Sequence, residues 1–231
     1  MSVLAVVPAR SGSKGIHKKN LSKVGGFSLI ARAANVLHQL DWVDEKIISS
    51  DSKIMIDEGI RFGLDAPFVR PNHLSSDTAS GPDVIEHAWL NAEIFYSKKF
   101  EYCLYVEPTC PLRKKEHLDS LHNFLKINKY KSVMGVSKNP AHFTPQKTII
   151  INNNFVNFIH SDAENIHSRQ QIPNYYHRNG LGYLIEKEVF FKHKNVVIKD
   201  ITAALVIDDL LINIDDKYEL EYCNYLINNE V

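Results

Sequence analysis

Ser2-Val3-Leu4-Ala5-Val6-Val7-Pro8 runs straight into Ala9-Arg10-Ser11-Gly12-Ser13-Lys14-Gly15-Ile16-His17-Lys18-Lys19-Asn20. The first half is a short, β-branched apolar run, the pattern of a buried strand. The second half is small, glycine-bearing and basic. A strand opening into such a loop suits phosphate: glycine lets the backbone approach an anion, N–H groups point at its oxygens, and Arg and Lys supply charge. Arg10, Ser13, Lys14, Lys19 and Asn20 are the candidate contacts, against the plainer reading of a solvated basic loop. The spacing is neither Gly-x-x-x-x-Gly-Lys-Ser/Thr nor Gly-x-Gly-x-x-Gly, so two common phosphate-loop classes are excluded.

Strand and helix alternate outward from this point. Residues 28–37 have helical periodicity with Ser28 as a candidate N-cap, 46–51 read as a strand with a polar tip, and 53–62 as a helix. Pro67-Phe68-Val69-Arg70-Pro71 is extended. Helix 81–98, strand 102–106, helix 115–126 and strand 132–137 follow. This order predicts an α/β fold: a mostly parallel twisted sheet with helices on both faces, and ligands at the carboxyl ends of its strands. Arg10 to Lys14, Ser50-Asp51, Arg70 and Glu107-Pro108-Thr109 all fall at such ends.

Beyond residue 137 the character changes. Segments 147–151 and 155–159 flank Asn152-Asn153-Asn154, a hairpin signal, and 161–179 is polar. Residues 140–180 read as an arm inserted into a single domain spanning 1–231, with strands at 181–185 and 203–207 and a closing helix at 215–226.

Composition narrows the function classes. The chain has 231 residues, 44% hydrophobic and 23% charged, enough for a full core. A formal net charge of zero gives no support to nucleic acid as a partner. Three cysteines without a Cys-x-x-Cys pair fit a reducing compartment rather than a disulfide framework. No signal-like leader or run of about 20 apolar residues is visible, so a cytoplasmic protein with no membrane partner is expected.

Several other groups could carry chemistry. Ser75-Ser76-Asp77-Thr78-Ala79-Ser80-Gly81 is dense in hydroxyls before a helix, which suits an N-cap, a base or ribose contact, or both. The two prolines of Glu107-Pro108-Thr109-Cys110-Pro111-Leu112-Arg113 make a stiff loop, either a simple turn or a preorganised ligand wall. Arg169, Gln170, Gln171, His177, Arg178 and Asn179 could clamp a carboxylate, or form a solvated loop. Asp208-Asp209 and Asp215-Asp216 offer hard oxygen ligands for Mg²⁺; helix capping is the alternative for the second pair. The eleven histidines have no zinc-ligand spacing.

Taken together, these segments resemble the CMP-sialic acid synthetases (acylneuraminate cytidylyltransferases) over nearly the whole chain. Five motifs of that family occur in order: Ala9-Arg10 through Ser13-Lys14-Gly15 to Lys19-Asn20, Arg70-Pro71 with Ser76-Asp77-Thr78-Ala79-Ser80, Pro108-Thr109-Cys110-Pro111-Leu112-Arg113, Arg169-Gln170-Gln171-Ile172-Pro173, and Asn179-Gly180. The resemblance implies a Rossmann-like nucleotidyltransferase that joins CTP to a nonulosonic acid, giving a CMP-sugar for cell-surface polysaccharide synthesis. Arg10, Lys19 and Asp215 would be catalytic. Arg10, Ser13, Lys19, Asn20, Arg70 and Ser80 would hold the nucleotide. Glu107, Lys147, Arg169 and Asn179 would hold the sugar. Mg²⁺ would be the cofactor and a homodimer, built through the arm, the working form.

The chain departs from that family at two places. Asn213-Ile214-Asp215-Asp216 stands where Asp-Ile-Asp-Thr is usual, so Asn213 and Asp215 would hold the metal with one charge fewer; Asp216, Asp209 or Glu107 could compensate. Glu107 stands where Gln is usual, an acceptor in place of a donor-and-acceptor. Two alternatives follow: a nucleotidyltransferase for another sugar acid, such as an octulosonic acid, or a catalytically weak nucleotide-binding relative.

Overall fold

The computed structural model describes residues 1–12, 15–166 and 168–229. The opening apolar run forms β1, Val3–Pro8, and its first five residues are buried. β2 (Lys23–Val24) and β3 (Phe27–Ser28) make a small hairpin turned by Gly25 and Gly26, both at positive φ, as a tight two-residue turn requires. α1 (Leu29–Leu37) is capped as expected: Ser28 Oγ accepts from the Ala31 N–H at 3.0 Å. Then come β4 (Glu45–Ser49), α2 (Lys53–Arg61), α3 (Gly81–Tyr96), β5 (Tyr102–Tyr105), α4 (Lys115–Asn128) and β6 (Ser132–Lys138). β7 (Ile149–Asn152) and β8 (Phe155–Phe158) are a separate hairpin, followed by β9 (Tyr176–Glu186), α5 (Lys187–His193), β10 (Thr202–Val206) and α6 (Lys217–Asn228).

The main sheet has six strands in the order β10-β6-β9-β5-β1-β4. β1 runs parallel to β4 and β5, and β10 parallel to β6; β9 is antiparallel to both its neighbours. Alternate residues of β1 serve opposite faces. Val3, Ala5 and Val7 join the core under α1, α2 and α4, while Leu4 and Val6 join the core under α3 and α5. Burial on both faces is why the strand reads as an unbroken apolar run. A third, smaller core of Ile16, Val24, Leu29, Ile214 and Cys223 fastens α6 beside the loop after β1.

The structure moves one boundary of the arm. Residues 176–180 are not loop: they are the first half of β9, paired with β6 as Tyr176↔Lys138, His177↔Ser137 and Arg178↔Val136. Polar side chains and a glycine hid this half from a hydrophobicity reading. It is extended because the register shifts between Met134 and Val136, where Gly135 faces Leu181 with no room for a Cβ. The helix expected to begin at 215 begins at Lys217, since Asp216 is its N-cap.

Candidate active site

A cleft of about 480 Å³ opens between the carboxyl ends of β1 and β5. Its lining includes Arg10, Lys19, Asn20, Arg70, Glu107, Asn213 and Asp215, seven of the residues singled out in the sequence. They arrive from four separate segments, and each segment has a physical reason to sit there.

The loop after β1 is anchored by Asp51, at the end of β4. Its carboxylate accepts from the Ser11 N–H at 2.9 Å and the Ser11 hydroxyl at 2.5 Å. Arg10 projects across the cleft and donates to Asp77 Oδ1 at 2.8 Å and to the Ser76 carbonyl at 3.2 Å. Asn20 is buried and donates to the Arg10 carbonyl at 3.4 Å. Lys19 reaches the opposite rim, where Nζ donates to Asp215 Oδ1 at 2.9 Å and to the Ile214 carbonyl at 2.8 Å. Gly15 lies so close to this rim that a Cβ would stand 2.3 Å from the Asp215 carbonyl oxygen, which fixes the residue as glycine. Ser13 and Lys14 lie outside the described residues.

Arg70 is the group whose surroundings call for a ligand. It is 3% exposed, and Nε donates to Ser75 Oγ at 3.1 Å. Nη2 is 3.9 Å from Asp51 Oδ1 and, although buried, has no hydrogen-bond partner. Burial pulls its pKa down; Tyr105 and Asp51 oppose that pull, and Arg10 adds to it. A desolvated cation with a spare donor on a cleft costs free energy until an acceptor arrives.

The facing wall follows β5. Burial pushes the Glu107 carboxyl up; Arg113, Arg178 and Lys19 draw it back, and Asp215 pushes it further. Its carboxylate takes part in no hydrogen bond or ion pair among the described residues. Thr109 ties this wall to the last segment: its hydroxyl donates to Asn213 Oδ1, and its carbonyl accepts from the Ile214 N–H at 2.8 Å. Asn213 Nδ2 points at Asp215 Oδ2, 3.5 Å away.

Other sequence candidates stand elsewhere. Ser80 caps α3, accepting from the Asp83 N–H at 3.2 Å. Asn179 is 1% exposed, with Nδ2 donating to Ser137 Oγ and Oδ1 accepting from the Leu181 N–H, both at 3.1 Å, so it shapes β9 behind the cleft. Lys147 is the exposed end of a turn of the arm whose Gln146 is buried, and Arg169 lines a second hollow with Lys138, Asn139 and Tyr175. Asp209 pairs with His117 and Lys114, and Asp216 with the Glu219 N–H, so neither lines the cleft. Hydrophobicity patterns gave no warning that Asp51 and Asp77 would hold the basic loop; Asp77 was visible only as one member of the hydroxyl-rich run.

Magnesium's chemistry is compatible with this donor set. The carboxylates of Asp215 and Glu107 line the cleft, and Asn213 adds an amide oxygen that here accepts from Thr109; oxygen donors are the preference of a hard cation. Among the described residues no group of three or more His, Cys, Asp or Glu could hold a metal ion.

Residues 4–230 match the cytidylyltransferase family model. The chain belongs to that family. Across its full length it is 27% identical to a pseudaminic acid cytidylyltransferase of Campylobacter jejuni, covering 99% of that protein. Over 148 residues, 63% of the chain and 61% of the relative, it is 32% identical to a CMP-N,N'-diacetyllegionaminic acid synthase of Legionella pneumophila. An N-acylneuraminate cytidylyltransferase of Escherichia coli is 24% identical over 95% of the chain and 50% of its own length. In fold, this cytidylyltransferase matches CMP:2-keto-3-deoxy-manno-octonic acid synthetase complexed with CTP at a TM-score of 0.74 and 15% identity, with both chains covered completely. It matches 4-diphosphocytidyl-2C-methyl-D-erythritol synthase from Anaerococcus prevotii at 0.65 and 13%, over 98% of each chain. The fold is that of the nucleotidyltransferases, and the chain is an enzyme of that class. No helix among the described residues is long and apolar enough to cross a membrane.

Proposed function

We propose that this cytidylyltransferase transfers the CMP unit of CTP to the anomeric hydroxyl of a nonulosonic acid, releasing pyrophosphate. The observation that carries this reading is the orphaned, buried Nη2 of Arg70 on a cleft that also holds Arg10 and Lys19. Spare buried donors beside two further cations suit a nucleoside triphosphate. The relatives whose names mention pseudaminic, legionaminic and neuraminic acids supply the class of acceptor.

The sugar hydroxyl attacks the α-phosphorus in line, and the bond to the β-phosphate oxygen breaks as pyrophosphate leaves. Such transfers depend on positioning and on neutralising charge. Lys19 and Arg10 exchange their carboxylate partners, Asp215 and Asp77, for phosphate oxygens and stabilise the leaving group. Arg70 offers its free donor to the nucleoside side. Asp215, with the Asn213 amide oxygen, would hold Mg²⁺, which when bound would offset triphosphate charge and lower the pKa of the attacking hydroxyl.

Residues 1–231 act as one catalytic domain, and the arm around β7 and β8 makes a homodimer. Support for the dimer is the hairpin itself: every residue of β7 and β8 is exposed, with Ile151 at 68% and Phe155 at 76%. Lys147 and Arg169, on the same arm, would then serve the sugar and its carboxylate in the dimer. Three buried, unpaired cysteines favour a cytoplasmic setting.

Pyrophosphate release across four nucleoside triphosphates and a panel of nonulosonic and octulosonic acids tests this reading. Turnover with CTP and at least one nonulosonic acid is expected. Absence of turnover with every nonulosonic acid, or turnover confined to an octulosonic acid, overturns it.

A further inference from the structure

Arg113 lies in the loop between β5 and α4, 4% exposed and away from the cleft lining. Among the described residues its charge meets no carboxylate within ion-pair distance. It is spent on three backbone carbonyls instead. Nε donates to Leu181 O at 2.5 Å, and Nη2 donates to Gly180 O at 2.6 Å and to Glu107 O at 2.8 Å. One planar guanidinium thereby joins both ends of the β5–α4 loop to the middle of β9. Gly180 sits at φ +75°, and a Cβ there would lie 3.1 Å from Asn213 Oδ1 and 3.2 Å from Cys110 Cβ. The stretch of β9 that receives Arg113 is therefore packed directly against the Asn213 side chain. Thr109 closes the ring by bonding the same wall to Asn213 and Ile214.

The wall held this way presents Glu107 to the cleft. A carboxylate repels a triphosphate and accepts from hydroxyl and amide N–H donors, so it suits the sugar side of the reaction. The cations of the nucleotide side have separate anchors: Asp77 for Arg10, Asp215 for Lys19, Ser75 for Arg70.

We infer that Arg113 is a positioning residue for the acceptor sugar: with Gly180 and Thr109 it latches the Glu107 wall to β9 and to the Asn213 segment, setting where the sugar's hydroxyl and N–H donors are received. This rests on the nonulosonic acid reading above. Arg serves here because its rigid fork reaches several carbonyls at once, whereas the Lys ammonium keeps the charge but not the fork.

Arg113→Lys and Thr109→Val test the inference, each assayed for CTP binding by calorimetry, for KM and kcat toward the sugar acid that wild type turns over, and for thermal midpoint. Thr109→Val cuts the latch at its cleft end and leaves the buried guanidinium in place. Both variants are expected to bind CTP, titrated without added Mg²⁺ so that Asn213 takes no part, within twofold of wild type while kcat/KM for the sugar falls about 10- to 100-fold, a loss that a misplacement near 1 Å can cause. Should Arg113→Lys fail to fold, the result from Thr109→Val decides. Parallel loss of CTP and sugar affinity, or an unchanged sugar kcat/KM, overturns the inference. CTP binding by wild type without turnover of any nonulosonic acid contradicts the functional reading instead, so the two failures are told apart.

Discussion

Around Lys19, Arg10 and Asp215 the charged groups of the cleft hold partners from within the chain, whereas along Ile149–Asn152 and Phe155–Phe158 a row of apolar side chains has no cover. The cleft is assembled from one chain, its groups held by local hydrogen bonds that the proposed reaction exchanges for phosphates. The arm is a surface that water tolerates poorly. Contiguous exposed apolar area of this kind marks an interaction surface. The contrast separates two requirements of the proposed enzyme: its nucleotide end would depend on preorganised charge, and its arm on a second copy.

The largest effect expected is at the charged end. Lys19→Met removes the donor nearest Asp215 and should lower kcat by about 10²- to 10³-fold, the cost typical of losing one preorganised charge-stabilising group. Steady-state pyrophosphate release measures it, and a loss under tenfold removes Lys19 from the chemistry. Next is the arm. Ile151→Asp combined with Phe155→Asp should convert a dimer of the 26.4 kDa chain into a monomer in light scattering. A wild type already monomeric at micromolar concentration breaks the comparison from the other side.

Smaller effects sharpen it. Asp77→Asn releases Arg10 from a half-exposed ion pair. Such pairs are worth at most about 1 kcal/mol, so CTP affinity should rise about two- to fivefold, most visibly at low salt. The smallest effect concerns stability at Glu107. Burial raises its folded-state carboxyl above the ordinary value, so the folded state holds that proton more tightly than the unfolded state does. Stability from this group is therefore full below the unfolded pKa and lost as pH rises through the folded one. Glu107→Gln should melt higher than wild type at pH 7 and no higher at pH 4, by calorimetric scan.

The alternation of strand and helix was legible because β1 and β5 are buried on both faces and carry unbroken apolar runs. The cap at Ser28 followed from residue type and position; the run 75–81 promised a cap without saying which hydroxyl, and the structure assigns it to Ser80. The first half of β9 was illegible, since Tyr176-His177-Arg178-Asn179-Gly180 is polar and its extension depends on a bulge in the neighbouring strand at Gly135. α5 was missed because it is only seven residues long. Within the site, Arg10, Lys19 and Arg70 could be named from the loops that carry them. Their pairing with Asp77, Asp215 and Asp51 could not, because those contacts cross 67, 196 and about 20 positions of sequence and exist only once the strand ends converge. Asn179 and Arg113 show the converse, as polar residues spent on holding backbone.

The most direct test of a nucleotide site complete within one chain is the CTP dissociation constant of the Ile151→Asp/Phe155→Asp arm variant, titrated beside wild type and Lys19→Met. The arm variant should bind CTP within threefold of wild type while Lys19→Met binds at least tenfold more weakly. Loss of CTP binding in the arm variant, or unchanged binding in Lys19→Met, would contradict the account.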